Sequence, residues 1–167
     1  MKNPIASVDL SWFDSPENEA QLQRLDAFIQ DFSKREPTAA DFEALLSVFE
    51  RFPCHDGFGV FWSIVHCLEH FQGYEPALLD SVRRRPGEFN LTMINRMMNA
   101  GVANVGDVSL IDVLQTVAAS ETASQQAREI ARDFIAAPGK RTALPTRPDK
   151  PPAPADHAAS PPPSRPS

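Results

Sequence analysis

GFGVFWSIVHCLEHF, residues 57–71, is apolar on nearly every face. A helix that is apolar all round is one covered by neighbours on more than one side, so this stretch predicts the centre of an all-helical assembly. Upstream, Pro37-Thr38 opens a helix with Thr38 as cap and Asp41 three residues on. Phe42, Leu45, Leu46, Phe49 and Phe52 form its apolar stripe, and Pro53 ends it. Further upstream, Ser15-Pro16 reads as a cap followed by proline at the first helical position, with Leu22, Leu25, Phe28, Ile29 and Phe32 at helical spacing behind it.

Downstream, Pro76 starts a fourth helix containing Leu78, Leu79 and Val82, which Pro86-Gly87 breaks. The fifth covers about Phe89 to Ala100, with Met93, Ile94, Met97 and Met98 as core fillers and Gly101 as a left-handed terminator. Asp107 or Ser109 begins a sixth helix, and Ser120 caps a seventh carrying Ala127, Ile130, Ala131, Phe134 and Ile135. Strand signals do not recur. These starts imply helix pairs offset by about 31–37 residues, the short end of HEAT-like spacing. The expected fold class is therefore all-α: six to seven antiparallel helices in sequential hairpins, arranged as a HEAT-like short solenoid or an irregular helical bundle.

Ten of the sixteen prolines of the 167-residue chain fall within residues 138–167. The reading is one helical domain over residues 1–137 and a disordered, polyproline-like tail over 138–167, whose P-x-x-P spacings at Pro148, Pro151 and Pro154 are not assigned a ligand. A body of this size buries enough surface for a core without disulfides or metal. Cys54 and Cys67 are expected to be free buried thiols in a reducing, cytoplasmic setting. No stretch carries the features of a signal peptide or the apolar length of a membrane span.

Charge is unevenly distributed. Residues 1–137 hold eleven basic against twenty acidic residues, a balance of −9, and the remaining thirty hold five against two, a balance of +3. An acidic body disfavours DNA or RNA, whose phosphates need basic patches, and favours a basic protein partner. Arg83-Arg84-Arg85 is a short basic run at a helix C-terminus, where the helix dipole welcomes it, and reads as capping rather than nucleic-acid binding.

Three clusters carry chemistry in principle. His66, Glu69 and His70 fit the H-x-x-E-H pattern in which two histidines on one helical face hold zinc and the glutamate polarises water. The size of the chain and the lack of a marked third ligand favour a plain polar helix edge, so no metal and no cofactor are assigned. Cys54-His55-Asp56 is a loop in which Asp56 caps the next helix, because three adjacent side chains diverge rather than assemble a triad. Asn90, Asn95, Arg96 and Asn99 form a polar face on the fifth helix, expected to be solvated and able to hydrogen-bond a partner.

The turn D-G-x-G-V-F-W at residues 56–62, G-Y-E-P at 73–76 and N-R-M-M-N-A-G at 95–101 resemble the small, acidic, all-helical immunity proteins encoded beside bacterial polymorphic toxins of contact-dependent and type VI systems. The likeness covers roughly residues 38–119. It implies a non-enzymatic cytoplasmic inhibitor that binds one cognate toxin and blocks its active site, and the acidic helical surface suits a basic toxin such as a nuclease. The expected partner-binding residues are Asp56, Glu75, Asp80, Glu88 and Asp107, which flank the central helices, with Asn95 and Asn99 as the amide contribution. The alternatives are a helical-repeat scaffold for another partner, or a zinc hydrolase built on His66, Glu69 and His70.

Overall fold

The computed structural model describes residues 8–137; the proline-rich tail and the first seven residues lie outside them. Seven helices follow in order among the described residues: α1 (Glu19–Phe32), α2 (Ala39–Arg51), α3 (Val60–His70), α4 (Glu75–Arg84), α5 (Glu88–Asn99), α6 (Leu110–Ala119) and α7 (Gln125–Ala136). A two-residue hairpin, β1 (Asn104–Val105) and β2 (Val108–Ser109), sits between α5 and α6 and pairs Asn104 with Ser109 and Val105 with Val108. The all-α expectation holds; the hairpin is an addition to it. Two residues per strand are too few to show the alternation that marks a strand, and Gly106 and Asp107 form its turn. Asp107 therefore does not start a helix; Ser109 does, its hydroxyl accepting from the Asp112 amide.

Helix starts follow the side chains that satisfy the first free amides. Thr38 and Asp41 form the expected reciprocal cap on α2. For α1, Asn18 rather than Ser15 is the cap, its Oδ1 accepting from the Gln21 amide at 3.2 Å. The Gln21 carboxamide oxygen accepts from both the Asp14 and Ser15 amides, which holds Ser15-Pro16 in a turn ahead of the helix. Ser120 likewise ends α6, its hydroxyl accepting from Ala123, while Ser124 caps α7 through the Ala127 amide at 3.1 Å.

Packing departs from sequential hairpins. α1 packs mainly on α3 and α2 mainly on α4, whereas α6 and α7 close directly on each other, with α7 also resting on α5. Alternate as well as consecutive helices are neighbours, an arrangement that a short helical stack and an irregular bundle share. A cluster of phenylalanines marks its centre: Phe49 stacks on Phe89 with centroids 5.2 Å apart, and Phe61 meets Phe89 edge-on at 5.5 Å and Phe13 at 6.2 Å. Aromatic pairs of this geometry add about 0.5–1.5 kcal/mol each beyond the area they bury. Arg51 ties down the N-terminal arm by donating to the Phe13 and Leu10 carbonyls.

One close approach sets the position of α5. Gly87 lies against Pro53, and the Glu88 amide donates to the Pro53 carbonyl at 3.1 Å. A Cβ at residue 87 would stand 2.8 Å from the Pro53 Cβ and 2.9 Å from its Cα and carbonyl oxygen. Because those are mostly backbone atoms, the strain cannot be relieved by a rotamer change. Gly87→Ala should therefore destabilise the fold by about 1–3 kcal/mol, read as a lower urea midpoint with unchanged slope; a midpoint equal to that of the parent would show that the loop moves freely from α5.

Candidate functional site

The first feature is the turn joining α2 to α3. Gly57, Phe58 and Gly59 all have positive φ, at 58°, 48° and 87°. Glycine accepts that region without penalty, but a phenylalanine there is strained. Phe58 is also 72% exposed, so burial does not compensate. What holds the turn is local. The Asp56 carboxylate accepts from the Phe58 amide at 2.9 Å, the His55 Nδ1 accepts from the Gly57 amide at 2.8 Å, and the His55 ring meets the Phe58 ring edge-on. These bonds engage the imidazole nitrogen and the carboxylate with backbone, which keeps Cys54, His55 and Asp56 from lining up as nucleophile, base and orienter. Cys54 itself is exposed rather than buried. Cys67 is buried as expected, and burial pushes its thiol up to about 11.

The second feature is an open cleft of about 1120 Å³ between α3, the segment leading into α4, the C-terminal half of α5 and the hairpin. Trp62 forms an aromatic wall, and Tyr74, Glu75, Asn95 and Asn99 line it. Inside it Arg96 clasps Glu69 with both arms, Nε to Oε1 at 2.6 Å and the second nitrogen to Oε2 at 2.7 Å. Burial pushes the Tyr74 phenol up to about 12, with the negative charges of Glu69 and Glu75 adding to it and Arg96 opposing. It therefore stands as a neutral hydroxyl at physiological pH.

The sequence-predicted partner residues divide between these places. Glu75, Asn95 and Asn99 line the cleft. Asp56 caps the strained turn, and Glu88 lies in the first turn of α5, against the same Pro53 loop. Asp80 is exposed but paired with Arg83 at 2.9 Å, and Asp107 is exposed in the hairpin turn; neither joins the others.

The expectation of a solvated polar face on α5 is corrected. Asn90 is fully buried, accepting from the Gly87 amide and donating to Ser81 and to the Arg85 carbonyl. Asn95 is 1% exposed, and only Asn99 faces solvent freely. The stretch 57–71 is not covered all round either, since Phe58, His66 and His70 are exposed. The H-x-x-E-H reading meets a specific obstacle: the Glu69 carboxylate is engaged by Arg96, and the described residues contain no group of three or more His, Cys, Asp or Glu placed to hold a metal. Of the basic run, Arg84 does more than cap, forking onto Glu50 of α2 at 2.8 and 3.0 Å.

Sequence reasoning placed Arg96 on the polar face of α5 but did not single out Phe58, Trp62 or Tyr74 as binding residues. For Phe58 a signal was present in the flanking glycines, which mark positive φ on both sides of an aromatic residue. No helix among the described residues is long and apolar enough to cross a membrane. No protein-family model, curated protein or solved structure matches the chain.

Proposed function

We propose that this chain is a non-enzymatic, immunity-type protein of the cytoplasm that binds a cognate toxin domain by protein contact and blocks its active site. The observation that carries this reading is Phe58, a phenylalanine held 72% exposed at φ 48° on a turn that could be relaxed by glycine. Strain kept at an exposed aromatic points to use rather than to folding, and aromatic residues dominate the binding energy of protein interfaces. Asp56 and the first turn of α5 with Glu88 flank the Pro53 loop that carries it. An aromatic anchor with acidic neighbours suits a partner that offers an apolar pocket within a basic rim, as a nuclease-like toxin does at its phosphate-binding surface. The same acidity disfavours nucleic acid as a direct ligand.

The reading requires a toxic domain encoded in an adjoining gene, and co-expression with that domain tests it. Growth should be restored and a stoichiometric complex should elute on size exclusion. Asp56→Lys and Glu88→Lys should slow association severalfold at low salt, the difference shrinking as salt is raised, because rim charges act mainly on the encounter rate. Toxicity that persists with the chain in soluble excess would sink the proposal.

A further inference from the structure

We infer that the α3–α5 cleft is a second binding site, separate from the Phe58 turn, which takes an extended peptide segment bearing a basic side chain and holds its main chain through Asn95. The cleft's central polar group is incomplete. Asn95 is 1% exposed, lines the cleft, and its Oδ1 has no hydrogen-bond partner among the described residues. Buried polar atoms in folded proteins are nearly always paired, so one left open inside a cavity marks a position that a ligand completes. A carboxamide offers an acceptor beside two donors, the complement of a peptide group's N–H and C=O. It therefore recognises a main chain without reading its sequence.

The surroundings narrow the occupant. Trp62 supplies a flat apolar wall, and Asn99 and the neutral hydroxyl of Tyr74 add polar contacts along the same cleft. Three of the lining residues are charged: Glu69, Glu75 and Arg96. Arg96 and Glu69 satisfy each other, which leaves Glu75, in the first turn of α4, as the lining carboxylate without an ion-pair partner among the described residues and favours lysine or arginine on the ligand. An open cleft of about 1120 Å³ exceeds what one small metabolite fills and suits several residues of extended chain.

The test is selection of a phage-displayed library of random dodecapeptides on the full chain, followed by calorimetric titration of the enriched peptide in synthetic form. A family containing lysine or arginine should emerge. Asn95→Leu, which keeps the branched outline and removes the amide, should weaken its binding about tenfold, the worth of one to two hydrogen bonds. Tyr74→Phe and Asn99→Ala should each weaken it severalfold, and they carry the test if the leucine variant does not fold. Failure to enrich any family, enrichment of acidic peptides, or equal binding by all three variants would overturn the inference. A selected sequence matching residues 148–154 would overturn the partner assignment and make the chain's own C-terminal segment the occupant. No toxin enters this experiment, so its failure leaves the Phe58 reading standing.

Discussion

Asp41→Ala should lower the stability of the fold by about 3 kcal/mol, the loss of several hydrogen bonds to one buried carboxylate. Asp41 is 4% exposed, and its two oxygens accept from the Val8 amide at 2.9 Å, the Thr38 amide at 2.8 Å and the Thr38 hydroxyl at 2.8 Å. It thus closes the cap of α2 and pins the N-terminal arm, which in turn delivers Phe13 to the aromatic centre. Removing it leaves two amides without their acceptor. Asp41→Asn should fall between the parent and alanine.

The pH dependence follows from the same contacts. Burial opposes the charge, but the amides of Thr38 and Val8, the Thr38 hydroxyl and the nearby Arg35 outweigh it and hold the Asp41 pKa below its ordinary value. A carboxylate whose pKa is lower in the folded than in the unfolded state contributes stability that is complete above the ordinary aspartate range, about pH 4. That contribution disappears as pH falls through the lowered folded value. The melting temperatures of the parent and of Asp41→Asn should therefore converge between about pH 5 and pH 2. Parallel curves over that interval would show that Asp41 is no more acidic in the folded state than in the unfolded one.

The cap on α2 shows what was legible in the sequence. Thr38 and Asp41 satisfy each other within four residues, so local spacing identifies them; Pro76 in the first turn of α4 and Gly101 at positive φ after α5 are legible for the same reason. Where two candidates compete, a longer contact decides. Ser15 loses to Asn18 because Gln21 reaches back to the amides of Asp14 and Ser15, and Ser120 loses to Ser124 because it is spent on Ala123.

The site was harder to read. Asn90 and Asn95 carry the spacing of a polar face, but Asn90 is buried by bonds to Ser81 and Arg85, and Asn95 lies on the wall of the cleft. The ion pairs Arg84–Glu50 and Arg96–Glu69 join residues 34 and 27 positions apart, beyond any helical periodicity. Alternate packing, α2 on α4 and α3 on α5, brings these residues together, and periodicity within each helix does not contain it. Glu69 illustrates the consequence: its place in H-x-x-E-H suggests water activation, whereas in the fold both of its carboxylate oxygens accept from Arg96.

Phe58→Gly should move stability and binding in opposite directions. At φ 48° and ψ 40° a side chain bearing a Cβ pays about 1–2 kcal/mol that glycine does not. Phe58 recovers little of this, being 72% exposed with the His55 ring as its aromatic neighbour at 5.5 Å. Glycine should accordingly raise stability by about 1 kcal/mol after allowance for its greater freedom in the unfolded chain. Alanine, which keeps the Cβ, should leave stability nearly unchanged. Both should weaken partner binding by about 2–4 kcal/mol, roughly 30- to 1000-fold, if the ring is the interface anchor. Gly57 does not offer the same separation: a Cβ there would run into the Phe61 ring, so its variants disturb the core together with the turn. The measurement is a urea titration and a calorimetric titration of the same three proteins. A glycine variant that is more stable and still binds at parental affinity would leave the strain at Phe58 without a function in binding. One that is less stable would show that the exposed ring supports the fold after all.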